Sequence, residues 1–192
     1  MSHFFAYLSR MKYILRWNLM RNTRGENIQE HSLQVAMLAH GLAVIRNRVF
    51  GGDVDCGRVM TLAVYHEASE VITGDLATPI KYFNPKIRDA YKQIEGVASE
   101  RLEAMLPEEL QGDYHDLLQQ QPGVEHDLVK AADRLSAYLK CVEELKAGNG
   151  EFERAMQSIR RDLEEMAERL PEVGYFLEHF EPSFHLTLDE LN

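Results

Sequence analysis

Cysteine is nearly absent. Cys56 and Cys141 are the chain's two, too few and too unlike in context for a disulfide framework or a zinc–thiolate site, and both are expected to be buried, reduced thiols. Chain breakers are sparse as well: twelve glycines and six prolines in 192 residues leave long uninterrupted segments and argue against disorder. No run comes near the ~20 apolar residues that span a bilayer. The opening MSHFFAYLSRMKYILRW has neither a continuous apolar core nor a small-residue cleavage site, so no export signal is expected. These absences predict a cytoplasmic protein with no membrane partner. Positive charge is in deficit, with 21 Lys and Arg against 31 Asp and Glu and a net charge of −10. Broad contact with a nucleic-acid polymer needs many unopposed cations and is not expected, whereas a few local cations suffice for a small anion. Alternating strand patterns, internal repeats and a glycine-rich phosphate loop are missing too.

Helical periodicity fills the chain instead. Phe4, Phe5, Leu8, Met11, Ile14 and Leu15 predict an amphipathic helix over 2–15. Asn27 followed by Glu30 fits an N-cap with its capping-box partner for a second helix over 28–47. There His31, Val35, Leu38, Leu42 and Ile45 form one stripe, while Leu33, Met37 and Val44 make the opposite side apolar too, so this helix is expected to be central. Asp55 reads as the cap of a third helix that carries Val59, Leu62, Ala63, His66 and Glu70 and stops near Thr73-Gly74. A loop is expected over 75–79. Asn84 and Pro85 open a fourth helix to about Met105, with Ile87, Tyr91, Ile94 and Leu102 inward. Further helices are expected over 107–120, 125–146 and 151–170. The length suits one well-buried core, and the predicted architecture is a single all-α domain over 1–192.

The chemistry gathers around YHEASEVITGD, residues 65–75. It sets His66 beside Glu67 and Glu70 one helical turn later, so His66 and Glu70 address one small volume while Glu67 enters from the side. An imidazole beside a carboxylate suits a divalent metal, and a second carboxylate suits proton transfer. The same residues also suit a solvated surface pair. His31 and His40 read either as ligands or as hydrogen-bonded core histidines. Asp133 interrupts a small apolar surface of Ala131, Ala132, Ser136 and Ala137; burying an unpaired carboxylate costs on the order of several kcal/mol, so it is either exposed or partnered. The segment RWNLMRNTRGE, residues 16–26, carries three arginines and the chain's one tryptophan. It reads as a solvated basic loop or as an anion site, for which arginine's planar fork suits phosphate. His31, the His66-Glu67 pair and Asp133 lie too far apart in sequence for any local motif.

A histidine, a histidine–acid pair and a distant aspartate, all on helices, resemble the signature of the HD-domain metal-dependent phosphohydrolases. With RW at 16–17, ENIQEHSLQVAMLAHGLA at 26–43, YHEASEVITGDLATPIKYFN at 65–84 and KAADRLSAYLKCVEEL at 130–145, the chain is similar to the bacterial HD-domain 5'-deoxynucleotidases. The similarity covers nearly the whole length, with the metal-site core over about 26–146. The resemblance implies an HD-type helical bundle and hydrolysis of deoxyribonucleoside 5'-monophosphates in preference to ribonucleotides. It also implies a divalent cation, cobalt or manganese first, and a homodimer. Carried over by position, it implies His31, His66, Glu67 and Asp133 as metal ligands, with His31, Glu67 and Asp133 also bordering the substrate. It implies Glu70 as the group handling the proton of the attacking water, Arg16 as the residue orienting the phosphate and Trp17 as the one crowding the sugar. Asp75, Leu76, Ala77 and Thr78 match the loop on the nucleoside side. One position departs: Glu67 stands where the family has aspartate, and its extra methylene shifts the carboxylate by roughly 1.5 Å where ligand distances tolerate ~0.2 Å. Two other readings stay open, a phosphohydrolase of the same superfamily acting on another nucleotide phosphate ester, and a nucleotide-binding HD module with weakened catalysis.

Overall fold

The computed structural model describes residues 1–81 and 83–192; Tyr82, within the 65–84 stretch of resemblance, lies outside the described residues. Among the described residues the regular structure is helical and no sheet forms, as the periodicity predicts. The chain clusters into two compact units, and α2 (Ile28–Val49) and α3 (Cys56–Tyr65) each contribute to both. None of the helices among the described residues is long and apolar enough to cross a membrane.

The first unit comprises Met1–Arg21, Gly25–Leu33 and Val64–Gln121. It opens with α1 (Phe4–Leu8), which tightens into a 3₁₀ turn at Ser9–Tyr13, so the continuous helix expected over 2–15 is corrected. Ile14 already has extended backbone, φ −99° and ψ 112°, because Leu15 must pair with Asn27 in an antiparallel bridge. α2 begins after Asn27, whose Oδ1 accepts the amides of Gln29 and Glu30 at 3.1 and 3.0 Å, satisfying donors that the first helical turn leaves free.

The third helix ends at Tyr65, short of the expected Thr73, and α4 (Glu70–Thr73) follows as a separate turn. Between them Ala68 N donates to Tyr65 O at 2.9 Å and Glu70 N to Glu67 O at 3.1 Å. These bonds, three residues apart, wind the chain more tightly than an α-helix, which sends Ala68 into the core while His66, Glu67 and Glu70 gather elsewhere. Gly74, with φ 72°, makes the exit turn that a side chain would strain. The loop expected over 75–79 is shorter than predicted, since α5 (Thr78–Lys81) takes Thr78 and Pro79 into a helical turn. α6 (Pro85–Glu103) is capped by Asn84, whose side chain accepts from Ile87 N, and α7 (Glu108–Gln119) follows. Tyr91, Ala98 and Leu102 point α6 inward; Ile94 is 53% exposed, a correction, because it lies off that stripe. Phe4, Ala68, Leu102, Leu106 and Leu118 form the core of this unit, with the Phe4 and Tyr65 rings edge-on to Tyr114 at 5.0 and 5.7 Å.

The second unit comprises Asn22–Arg24, Gln34–Ala63 and Pro122–Asn192. Its axis is α8 (Val124–Lys146), buried along Leu128, Leu135, Leu139 and Val142. α9 (Glu153–Ala167) and α10 (Pro171–His179) follow in this unit, and the fully buried Glu172 takes Arg46 Nη1 at 2.9 Å. Asp55 caps α3 as expected, accepting Arg58 N at 3.0 Å. α2 is not buried all round: Leu33 and Met37 are each 61% exposed and Val44 37%. The helix has two apolar stripes, and the fold buries the one led by Val35, Ala39 and Leu42. Cys141 is buried as expected, whereas Cys56 is only half-buried, a correction to the expectation that both thiols are buried.

Candidate metal centre

Four features of the first unit converge. The capped start of α2 places His31, fully buried, one turn inside the helix. The tight turn after α3 presents His66 and Glu67, the bridge at Leu15 presents Arg16, and α4 presents Glu70. The rings of His31 and His66 lie 5.2 Å apart, inclined at 52°, and His66 Nε2 is 3.5 Å from Glu67 Oε1. One ligand atom each of His31, His66 and Glu67 falls within 4.8 Å of the others. The longer side chain of Glu67 therefore brings its carboxylate to both imidazoles.

Arg16 bridges two groups, with Nη1 2.8 Å from Glu26 Oε2 and 2.7 Å from His31 Nδ1. A guanidinium only donates, so His31 Nδ1 accepts in this contact. Glu70 is 6% exposed, and its Oε2 has no hydrogen-bond partner among the described residues. Burial pushes its carboxyl well above the usual carboxylate range, the charge and hydrogen bond of Glu67 push it further, Asp75 adds to this, and Arg16 opposes. Asp75 is also raised, first by burial; Arg16 and Lys81 pull it back while Glu67 and Glu26 push it up. Three acids thus crowd a poorly hydrated volume against few cations, an arrangement that favours protonation or a bound cation. Two imidazoles with carboxylate oxygens form the mixed donor set that suits divalent transition metals.

The loop after Gly74 is braced from behind. Tyr91 donates its hydroxyl to Gly74 O at 3.1 Å and lies 3.3 Å from Thr73 Oγ1. Lys81 stacks over the Tyr91 ring at 4.8 Å while pairing with Glu95 at 2.8 Å. Asn18 Nδ2 donates to Asp75 O at 3.3 Å, linking the loop to the Arg16-Trp17 segment. Leu76 and Ala77 are half-buried and Thr78 is exposed. Trp17 takes φ 58°, a left-handed conformation that a bulky residue rarely adopts. His40 is exposed and belongs to the second unit. Asp133 belongs to the second unit, half-buried in the middle of α8. Sequence reasoning missed Glu26, Asn18, Lys81 and Tyr91. Glu26 faces Arg16 only through the Leu15–Asn27 register, which no residue pattern announces, and Tyr91 reads as a core aromatic.

A family described as 5'-deoxynucleotidase YfbR-like matches residues 3–184. The chain belongs to that family. The 5'-deoxynucleotidase YfbR of Escherichia coli O1:K1 is 56% identical over 193 residues, covering 100% of this chain and 96% of the relative. A 5'-deoxynucleotidase of Yersinia pestis strain Pestoides F is likewise 56% identical, covering 100% and 98%. Among solved structures, an HD-domain phosphohydrolase from Listeria innocua superposes with a TM-score of 0.82 over 95% of this chain and 88% of its own, at 21% identity. The fold is therefore of HD type. YfbR-like membership carries the reaction class, a metal-dependent phosphohydrolase of the 5'-deoxynucleotidase type.

Proposed function

We propose that the protein hydrolyses deoxyribonucleoside 5'-monophosphates to deoxyribonucleoside and phosphate, discriminates against ribonucleotides, and works as a cytoplasmic homodimer. His31, His66, Glu67 and Asp133 hold the divalent cation, cobalt or manganese first. The two imidazoles and the Glu67 carboxylate within 4.8 Å of one another support this reading. A divalent cation held there would supply Lewis-acid activation for the hydrolysis.

The chain's own residues do the rest. Glu70, beside the ligands and short of donors, takes the proton of the water whose oxygen attacks phosphorus, and that proton passes to the 5' oxygen as its bond to phosphorus breaks, releasing the deoxyribonucleoside hydroxyl and phosphate. Arg16 grips the phosphate with its guanidinium fork. Trp17 fills the space that a 2'-hydroxyl would need, and Asp75, Leu76, Ala77 and Thr78 line the nucleoside. The gathering of His31, His66, Glu67, Glu70 and Arg16 in one volume carries the proposal. The exposed stripe of Leu33, Met37 and Val44 on α2 supports burial against a second copy.

Phosphate release from matched deoxy- and ribonucleoside 5'-monophosphates, with cobalt, manganese and magnesium in parallel, tests the reading. Expected is turnover of the deoxy series with cobalt or manganese and little of the ribo series. Equal turnover of both series, or release only from cyclic or triphosphate substrates, sinks it. Trp17→Ala should narrow the preference for deoxy over ribo substrates; an unchanged preference leaves Trp17 without that role.

A further inference from the structure

Arg16 and Trp17 sit at the neck of a closed loop, residues 15–27. The neck is tied by the Leu15–Asn27 bridge, with Arg16 N donating to Glu26 O at 2.9 Å and Ile28 N to Ile14 O at 3.0 Å. The tip is tied to something the catalytic reading does not use. Lys140 and Glu144, one turn apart on α8 and only 6% and 1% exposed, form a buried ion pair. Glu144 accepts the amide of Thr23 at 2.9 Å, its hydroxyl at 2.8 Å and the amide of Arg24 at 3.4 Å. Lys140 Nζ donates to the carbonyl of Arg24 at 2.7 Å, and Asn149 Nδ2 completes the carboxylate's shell at 2.8 Å.

Residues 21–25 read RNTRG, without one apolar side chain to bury, so hydrophobic packing cannot fix this segment. Backbone and hydroxyl groups ending on fixed charges can, because charge-assisted hydrogen bonds are short and directional. A buried ion pair is weak evidence for stability, since well-packed apolar residues often serve as well. An apolar pair could not, however, accept or donate to the backbone of residues 23 and 24. Lys140 and Glu144 lie seven and eleven residues beyond Asp133, which in an α-helix places all three on one stripe of α8. The helix that carries Asp133 thus presents the clamp in the same register. At the neck, the left-handed backbone of Trp17 is a state that persists only when its surroundings impose it.

We propose that Lys140 and Glu144 are positioning residues that fasten the tip of the 15–27 loop and thereby set where Arg16 and Trp17 stand, so that the pair tunes phosphate grip and sugar selectivity without touching substrate. The proposal rests on the roles given above to Arg16 and Trp17. With the clamp gone, the loop samples other courses, and apparent affinity falls with the fraction of molecules holding the working one. KM then rises more than kcat falls.

The single tryptophan makes the loop visible. Two variants loosen the clamp differently. Lys140→Met with Glu144→Leu replaces the pair by apolar residues of similar bulk, and Thr23→Val removes one hydroxyl anchor while leaving the pair intact. Circular dichroism establishes folding, acrylamide quenching of Trp17 emission reports loop order, and kcat and KM are measured on deoxy- and ribonucleoside monophosphates. In the double variant, quenching is expected to rise about twofold, KM for the deoxy substrate roughly fivefold with kcat within about twofold, and deoxy preference to fall. Thr23→Val should shift the same readouts in the same direction by less, and it carries the test if the double variant does not fold. Lys140→Arg, which keeps a donor, should restore near-native quenching. Folded variants with native quenching overturn the clamp; raised quenching with unchanged KM and selectivity overturns its functional part. If Arg16→Ala and Trp17→Ala leave activity on every substrate untouched, the roles of those two residues fall, and quenching still decides separately whether the pair orders the loop.

Discussion

Glu70 and Glu144 are both buried glutamates, 6% and 1% exposed, and their surroundings drive them in opposite directions. Glu144 is ringed by donors. Burial alone would raise its carboxyl, but hydrogen bonds from Lys140, from Asn149 and from the amide and hydroxyl of Thr23 outweigh that and hold it at about 2. Glu70 has acids for neighbours, and burial, Glu67 and Asp75 together push its carboxyl up against the pull of Arg16. One carboxylate has had its water replaced by fixed donors and behaves as structure. The other has been left short of positive charge, as expected of a group kept for proton transfer beside a cation site. Burial by itself therefore does not decide which way a buried acid shifts; the sign of what surrounds it does.

Replacing each glutamate by glutamine breaks this contrast most directly. Glu70→Gln should lower kcat by about 10³-fold or more while leaving metal and nucleotide binding intact, and should not destabilise the fold, since it removes a crowded acid. Turnover within tenfold of the parent, measured by phosphate release with metal content checked, would take Glu70 out of the mechanism. Glu144→Gln should do the reverse. It leaves Lys140 buried without its counter-ion, at a cost of about 3–5 kcal/mol, readable as a fall in Tm of roughly 10 °C for a chain of this size. The sign with pH follows from the lowered carboxyl. Its stabilisation is fully present above its ordinary value of 4.5 and is lost as pH falls toward about 2. The parent should therefore lose stability over that window more steeply than Glu144→Gln. Parallel acid titrations of the two would contradict the assignment.

Arg16→Ala sharpens the contrast from the cation's side, since Arg16 is the positive group that opposes the rise at both Glu70 and Asp75. Losing its grip on phosphate should cost about 2–4 kcal/mol in the barrier, a 10²- to 10³-fold fall in kcat/KM. Arg16→Lys should recover only part of it, because a point charge cannot reproduce the bidentate fork. Full recovery by lysine would show that charge alone mattered.

The helices were legible because their signals are local. Asn27, Asp55 and Asn84 announced caps that the structure forms, and Val35, Leu42, Leu128, Leu135 and Leu102 announced buried faces. His31, His66 and Glu67 were legible as residue types, though not as neighbours from spacing alone. What stayed hidden depends on register or on tight turns. The helix expected through Glu70 breaks after Tyr65 because Ala68 must reach the core, and that requirement is tertiary. The Arg16–Glu26 pair depends on a single antiparallel bridge between residues twelve apart. Leu33, Met37 and Val44 read as buried because periodicity reports that a stripe is apolar and does not report what covers it. Met37→Glu tests that stripe. Expected is a shift from dimer to monomer in analytical ultracentrifugation with Tm little changed, and an unaltered sedimentation coefficient would rule that face out as the contact.

Glu67→Asp should have the smallest effect, and it bears on the position where the resemblance leads one to expect aspartate. The glutamate already presents an oxygen 3.5 Å from His66 Nε2, so the tight turn at 66–69 has absorbed the longer side chain. Shortening it withdraws the carboxylate from both the imidazoles and Glu70. The withdrawal weakens the cation site slightly and also relieves Glu70 of its nearest repelling charge. These effects oppose each other in turnover, so kcat should change by less than about tenfold, whereas metal affinity should fall measurably, by about 10-fold on the scale of a displaced ligand partner. Metal titration after chelation, run beside steady-state kinetics, separates the two. Equal affinity in both proteins would mean that Glu67 does not touch the cation and acts only through its charge on Glu70.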